Sequence, residues 1–255
     1  MDARGPDAWG RRARTIRPGS VMPILQQRDR EAVQRRFATG LKRDVDITLY
    51  TQVATGLYVP GRECRTCGPT QELVEEVSAL SPRVRLEVVD YYKDRESAAA
   101  RGVDRVPALI IGGDSNGKAR FFGMPSGLEF AILLDSIVAA SIRRSPLQLE
   151  TRRRLKALEV DVHIRVFVTP NCKYSPTVAR VAHLMALESP RVTADVIEVQ
   201  EFPDLAGKYR VMGVPKTAIN DSVQFTGAVP EEVFVRRVLQ AVGVEEPDEV
   251  EAVSD

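Results

Sequence analysis

Two cysteines begin four-residue motifs that could carry sulfur chemistry, and the motifs differ at their last position. The first motif is Cys64-Arg65-Thr66-Cys67, and the second is Cys172-Lys173-Tyr174-Ser175. Two thiols separated by two residues can form a reversible disulfide or bind a metal ion. The second motif has a hydroxyl in place of the second thiol, so only the first motif can close a disulfide within itself.

Metal binding is the main alternative for the Cys64 and Cys67 pair, because the same spacing occurs in zinc sites. A tetrahedral structural site takes four ligands. The rest of the chain offers one further cysteine and two histidines, His163 and His183, without the paired spacing of a metal site. The sequence therefore favours redox chemistry, with no metal and no cofactor.

Each motif is followed by a Val-Pro dipeptide at the same distance. Pro107 lies 43 residues after Cys64, and Pro215 lies 43 residues after Cys172. We predict cis bonds at Val106-Pro107 and Val214-Pro215, because an X-Pro bond ahead of a strand at this distance often lies against a redox sulfur. Val106 and Val214 would then offer their backbone to an extended substrate segment. The alternative is an ordinary proline at a sheet edge.

The predicted position of Cys64, after a strand and at the first turn of a helix, favours an ionised thiol. Free N–H groups and the helix dipole stabilise a thiolate at a helix N-terminus. Arg65, beside the sulfur, would add positive potential if it points towards Cys64. Cys64 is therefore the predicted attacking thiol, and Cys67 is within reach to resolve a mixed disulfide.

The two motifs belong to two copies of one structural unit, about 108 residues apart, since Cys172 follows Cys64 by that number. Each copy has the predicted order helix, strand, helix, strand, short helix or segment, strand, strand, helix. The first unit is predicted at residues 22–143 and the second at residues 144–244, with sheets that are continuous or closely apposed. Residues 1–21 and the acidic tail at 245–255 are expected to be disordered.

Composition excludes several classes of function. The chain has 255 residues, 44% hydrophobic and 28% charged, which suits a soluble protein with two modest domains. Its formal net charge of +1 gives no overall field to attract nucleic acid or a membrane surface. No window approaches the ~20 apolar residues of a membrane span, and no apolar stretch follows the Arg-rich start. Three cysteines are too few for a disulfide-stapled secreted fold, so we expect a cytoplasmic protein.

Several longer motifs make a family resemblance visible over residues 28–243. They are Arg105-Val106-Pro107-Ala108, Gly123-Met124-Pro125-Ser126-Gly127-Leu128-Glu129-Phe130, Val166-Phe167-Val168-Thr169-Pro170, Glu201-Phe202-Pro203, Gly213-Val214-Pro215-Lys216-Thr217 and Gly227-Ala228-Val229-Pro230-Glu231. With these motifs the sequence resembles the glutaredoxin-like protein disulfide oxidoreductases of thermophilic archaea and bacteria. The resemblance implies an α/β fold of two tandem thioredoxin-like units, each a three-layer α/β/α arrangement with a mixed central sheet.

The resemblance also implies a function in cell redox homeostasis, namely thiol–disulfide exchange with disulfide-containing protein substrates. A reductase of the thioredoxin-reductase type would be the electron donor. The alternative is a non-catalytic scaffold of thioredoxin-like fold that binds extended peptides.

The second motif departs from the Cys-Pro-Tyr-Cys usual in these proteins. Cys172 and Tyr174 match, whereas Lys173 replaces proline and Ser175 replaces the second thiol. Three interpretations of Cys172 stay open: a monothiol site that holds a low-molecular-weight thiol or a protein, a relay to the Cys64/Cys67 pair, and a decayed site kept as scaffold. Lys173 beside the sulfur would support a thiolate.

Other charged residues are weaker candidates. His163 lies in an alternating strand and is predicted to be packed or exposed on a face rather than a general base. Asp90 and Glu198 are equivalent in the repeat and are predicted to be solvated strand ends. The first copy has nine more residues than the second ahead of its cysteine motif, around Val53 to Pro60. These residues either form a lip over Cys64 that selects partners or are a tolerated surface insertion.

Overall fold

The computed structural model describes residues 23–53, 63–112, 118–142 and 145–244. The expectations of disorder for residues 1–21 and 245–255 lie outside these ranges, as does most of the insertion before Cys64.

The described chain contains the predicted repeat of helices and strands. The first unit consists of α1 (Gln27–Gly40), β1 (Val45–Thr51), α2 (Cys67–Ala79), β2 (Val84–Asp90), α3 (Arg95–Ala100), β3 (Ala108–Ile111), β4 (Lys118–Phe122) and α4 (Glu129–Ala140). The second unit consists of α5 (Leu149–Lys156), β5 (Val162–Val168), α6 (Ser175–Glu188), β6 (Val192–Glu198), α7 (Pro203–Lys208), β7 (Lys216–Ile219), β8 (Val223–Thr226) and α8 (Glu231–Gln240). The short segment that the repeat predicts between β6 and β7 is the helix α7.

The eight strands form one mixed sheet in the order β2-β1-β3-β4-β6-β5-β7-β8. In the first unit β1 is parallel to β2, β3 is antiparallel to β1, and β4 is antiparallel to β3. In the second unit β5 is parallel to β6, β7 is antiparallel to β5, and β8 is antiparallel to β7. The units join where β4 pairs in parallel with β6, from Lys118 opposite Thr193 to Phe122 opposite Ile197. This joint confirms that the two sheets are continuous, and it pairs two strands that would otherwise be exposed sheet edges.

Alternation along the strands divides the core into two layers. Leu49, Leu109 and Phe121 belong to a large cluster on one face, which six helices cover: α1, α2, α4, α5, α6 and α8. Their neighbours Tyr50 and Phe122 belong to a smaller cluster on the other face, to which only the short helices α3 and α7 contribute. The three-layer α/β/α prediction is therefore confirmed.

This topology places both cysteine motifs at the same end of the sheet, where β1 and β5 have their carboxyl ends. Strands β1 and β5 run in the same direction, because β1 is antiparallel to β3, β3 is antiparallel to β4, and β4, β6 and β5 are mutually parallel. The turns that carry Cys64 and Cys172 follow the carboxyl ends of β1 and β5. These two strands are four positions apart, which corresponds to roughly 19 Å at about 4.8 Å per strand.

Candidate functional site

Cys64 and Cys67 form a disulfide at the carboxyl end of β1, with a Cα–Cα distance of 5.4 Å. The two residues differ in access, since Cys64 is half-buried whereas Cys67 is 2% exposed. Helix α2 begins at Cys67, so Cys64 lies in the turn before the helix and not in its first turn. The prediction that a helix starts near the cysteines is confirmed, whereas the predicted placement of Cys64 in its first turn is wrong, because the helix starts three residues later.

Backbone groups from two other segments contact the sulfurs. The N–H of Gln52, just after β1, donates to Cys67 Sγ at 3.4 Å. Cys64 Sγ lies 3.7 Å from the carbonyl oxygen of Val106. The Val106-Pro107 bond is cis, as the spacing predicted, and Pro107 is buried. The cis turn is therefore next to the more accessible sulfur.

Arg65 is exposed, and within the described part of the chain it makes no hydrogen bond or ion pair. Its support of a Cys64 thiolate therefore stays a prediction.

Glu201, in the second unit, contacts the redox motif of the first. Its carboxylate accepts a hydrogen bond from Thr66 Oγ1, and its other oxygen accepts one from Met124 N–H at 2.7 Å. In the sequence, Glu201 stands out only as part of the motif Glu201-Phe202-Pro203, and that motif does not assign it to the Cys64 site. Glu201 lies three residues after the end of β6, and its place beside Thr66 depends on the β4–β6 pairing, which no local pattern reveals.

Cys172 is a free, half-buried thiol in the equivalent turn of the second unit. Its S–H donates to the carbonyl oxygen of Val214 at 3.4 Å, and the Val214-Pro215 bond is cis, as predicted. Helix α6 begins at Ser175, the position that Cys67 has in the first unit. The two units therefore share one geometry around a sulfur and a cis turn.

The surroundings of Cys172 lower its pKa. Partial burial acts to raise the pKa, but the Ser175 hydroxyl and the backbone N–H groups of Tyr174 and Ser175 outweigh it. The Ser175 hydroxyl is fully buried, and it has no hydrogen-bond partner among the described residues while the thiol is neutral. It is therefore the group that would donate to the sulfur when Cys172 ionises.

The other two residues of the second motif lie at the surface. Lys173 Nζ lies 5.0 Å from the centre of the Tyr174 ring. Tyr174 is 54% exposed, and Met212, two residues before Val214, is 95% exposed. Apolar surface is thus available close to Cys172 in the chain and close to its cis turn.

Two buried glutamates lie where the units meet. Glu129 is fully buried, and neither of its carboxyl oxygens has a hydrogen-bond partner among the described residues. Its burial together with the charge of Glu198 raises its pKa to about 9. Glu198 is 3% exposed and accepts hydrogen bonds from the N–H groups of Gln200 and Glu201. The prediction that Glu198 is a solvated strand end is therefore wrong, because the β4–β6 joint covers it.

Asp90, the counterpart of Glu198 in the first unit, ends a strand at the side of the sheet. Its side chain is 13% exposed, pairs with Lys93 and accepts a hydrogen bond from Tyr92 N–H. The carboxylate is thus more enclosed than a solvated strand end would be, and its hydrogen bond stabilises the turn that follows β2.

The described residues contain no group of three or more His, Cys, Asp or Glu side chains placed to hold a metal ion. Among the helices of these same ranges, none is long and apolar enough to cross a membrane.

The thioredoxin domain family matches this chain twice, at residues 57–135 and 162–240. Each match includes one cysteine motif and the cis turn that faces it.

Among known proteins, the F subunit of alkyl hydroperoxide reductase from Staphylococcus aureus is 26% identical over 152 residues, which is 59% of this chain and 27% of that protein. The chain thus spans about a quarter of that relative. Thioredoxin of Methanocaldococcus jannaschii is 37% identical over 78 residues, covering 30% of this chain and 92% of that protein.

A protein disulfide oxidoreductase from Aeropyrum pernix has a similar solved structure, with a TM-score of 0.77 and 29% identity. The match covers 86% of this chain and 94% of that one, so it includes both units. The chain therefore belongs to the thioredoxin domain family and carries two of its domains in tandem.

Proposed function

We propose that this protein exchanges disulfides with protein substrates through Cys64 and Cys67. The observation that carries the proposal is the unequal access of two bonded cysteines, since Cys64 is half-buried and Cys67 is 2% exposed. An attacking thiol must reach a substrate, whereas a resolving thiol only has to reach its neighbour.

The reaction runs from the reduced protein in two steps. The Cys64 thiolate attacks one sulfur of a substrate disulfide, which forms a mixed disulfide and releases the other substrate sulfur as a thiolate that takes a proton. Cys67 then loses its proton and attacks Cys64 Sγ, so the Cys64–Cys67 bond forms and the second substrate sulfur leaves. The substrate gains two electrons and the protein dithiol loses two.

The cis turn is the proposed binding surface for the substrate backbone. Val106 presents its carbonyl oxygen 3.7 Å from Cys64 Sγ, and Pro107 has no N–H to compete for acceptors. An extended substrate segment can pair with the backbone of Val106 while its disulfide faces Cys64. Val214 and Pro215 form the corresponding surface of the second unit.

Cys172 is proposed as a monothiol site that holds a low-molecular-weight thiol in a mixed disulfide. Its lowered pKa and its partial exposure support reactivity, and Ser175 cannot resolve the adduct. A direct relay to Cys64 is less well supported, because β1 and β5 are roughly 19 Å apart at their axes.

Regeneration of the dithiol requires an external two-electron donor, for which we propose a reductase of the thioredoxin-reductase type. The proposed setting is the cytoplasm, where such reductases keep thiols reduced. The proposed unit boundaries are residues 22–143 and 144–244.

Trapping the mixed disulfide tests this proposal. In a Cys67→Ser variant the intermediate on Cys64 cannot resolve, so a reduced variant mixed with a disulfide-containing protein should accumulate a covalent adduct on Cys64, located by peptide mass spectrometry. The matched control is Cys64→Ser, which should give no adduct at Cys67. Equal adducts in the two variants would contradict the assigned roles, and thiols inert in both would support the peptide-binding scaffold.

A further inference from the structure

A cleft of about 630 Å³ lies between the two units on the sheet face opposite the six longer helices. Residues of α3 and α7, two helices of six residues each, line its two sides. Strands β4, β6 and β5 form its floor. Clefts at the junction of two units that collect polar groups are common ligand sites.

A buried ion pair lies in the floor of the cleft. Arg120 on β4 donates to both carboxylate oxygens of Asp195 on β6, at 2.6 and 2.9 Å, and both side chains are almost fully buried. Arg120 also donates to the carbonyl oxygens of Arg101 and Gly102 at the end of α3. Apolar residues of similar volume are often at least as stable in such places, so stability alone does not account for the pair.

His163 and Arg165 on β5 extend this polar floor. His163 Nε2 lies 2.6 Å from Asp195 Oδ2, and Arg165 donates to His163 Nδ1 at 2.9 Å. Arg120 Nη2 also lies 3.3 Å from His163 Nε2, so the imidazole contacts two guanidinium groups and one carboxylate. Arg165 donates in addition to Asp221 at 2.7 Å.

Two cations on opposite sides of the cleft form no ion pair within the described residues. Arg95 on α3 lies 5.3 Å from the ring centre of Tyr91 and 5.2 Å from that of Tyr92. Lys208 on α7 lies 5.0 Å from the ring centre of Tyr209. The hydrogen bond from Tyr209 lowers the pKa of Asp221, and the charge of Lys208 contributes to this shift although Lys208 and Asp221 form no ion pair. A contact with an aromatic face orients a cation without neutralising its charge.

Apolar side chains line much of the remaining cleft, including Val103, Phe122, Ile197 and Leu205. At one end Arg105 pairs with Asp104 and Asp204, so its charge is already balanced. We propose that the cleft binds a small organic anion, a compact apolar body with a phosphate or carboxylate group, for which Arg95 and Lys208 supply the positive potential.

The chain has only two histidines, and this provides a local readout by NMR. His163 lines the cleft, whereas His183 on α6 is 1% exposed and contacts Ser136 on the opposite face of the sheet. Phenyl phosphate should shift the His163 ring signals saturably and leave those of His183 nearly unchanged. A His163→Gln variant assigns the signals.

Charge variants complete the test. Arg95→Gln and Lys208→Gln should each weaken binding of phenyl phosphate about fivefold or more, whereas Arg35→Gln on α1 should not. Benzoate in place of phenyl phosphate distinguishes a carboxylate site from a phosphate site. The proposal is overturned if the His163 signals do not move, if both cleft variants bind as the wild type does, or if inorganic phosphate binds as tightly as phenyl phosphate.

Discussion

At the scale of single residues, Cys67 and Ser175 show what one atom changes. Both are buried at the first position of the helix that follows the more accessible cysteine. Cys67 closes a disulfide, whereas Ser175 can only donate a hydrogen bond to a neighbouring thiolate. The second unit therefore keeps the means to stabilise an ionised thiol without the means to resolve an adduct.

Ser175→Ala should raise the pKa of Cys172, because it removes a hydrogen bond that lowers it. In the oxidised protein Cys172 is the free thiol, so its alkylation by iodoacetamide can be followed alone. We expect roughly two- to fivefold slower alkylation near pH 7, since the loss of thiolate is partly offset by the greater nucleophilicity of a more basic sulfur. Thr177→Ala, at an exposed position of the same helix, is the control. An unchanged alkylation rate in Ser175→Ala would contradict the role given to this hydroxyl.

Glu129 should make the protein less stable as pH rises. Its pKa is about 9 in the folded protein against an ordinary 4.5, so the unfolded chain releases a proton that the folded chain keeps. The contribution of Glu129 to stability is therefore full below pH 4.5 and is lost progressively up to about pH 9. Glu129→Gln should flatten this dependence and be more stable than the wild type by about 2–4 kcal/mol near pH ~8.

Urea denaturation across this pH range measures the effect. Glu232→Gln, at an exposed position of α8, should keep the wild-type slope of stability against pH. Parallel curves for Glu129→Gln and the wild type would show that Glu129 does not hold a proton in the folded state.

At the scale of elements, each unit contacts the motif of the other. Glu201 beyond β6 accepts a hydrogen bond from Thr66, and Leu128 N–H before α4 donates to Pro170 O at 2.9 Å, two residues before Cys172. Gly127 has a φ of +54°, and a Cβ there would lie 2.7 Å from Pro170 O, so this close approach requires glycine. The loops through which the two units contact each other are thus part of both thiol sites.

Glu201→Gln should make the Cys64/Cys67 couple more oxidising. A carboxylate beside Thr66 disfavours a thiolate in the reduced motif, so its removal stabilises the reduced form. We expect a rise in reduction potential of about 10–30 mV, measured against glutathione by thiol alkylation and mass. Glu232→Gln should leave the potential unchanged, and an equal or lower potential in Glu201→Gln would contradict this electrostatic role.

The elements themselves were predictable from sequence, whereas contacts between units were not. Hydrophobic periodicity and the repeat located the helices and strands to within a few residues, because each is specified by its own side chains. The repeat spacing also predicted both cis prolines. The burial of Glu198 and the contact of Glu201 with Thr66 depend on β4 pairing with β6, and that pairing joins residues about 75 positions apart.

At the scale of the whole molecule, one continuous sheet places a disulfide-bonded cysteine pair and a free cysteine at the same end of its strands. In the proposed function, the Cys64/Cys67 pair turns over a substrate disulfide and Cys172 holds an adduct. One face of the same sheet carries the cleft with Arg95 and Lys208. The tandem fold therefore combines one disulfide-bonded cysteine pair, one free thiol and one polar cleft.

The most direct test is the rate of insulin disulfide reduction with dithiothreitol as electron donor. Cys64→Ser should reduce the catalysed rate to the background of dithiothreitol alone, and Cys172→Ser should keep most of the wild-type rate. Full activity in Cys64→Ser, or a collapse of activity in Cys172→Ser, would contradict the assignment of catalysis to the Cys64/Cys67 pair.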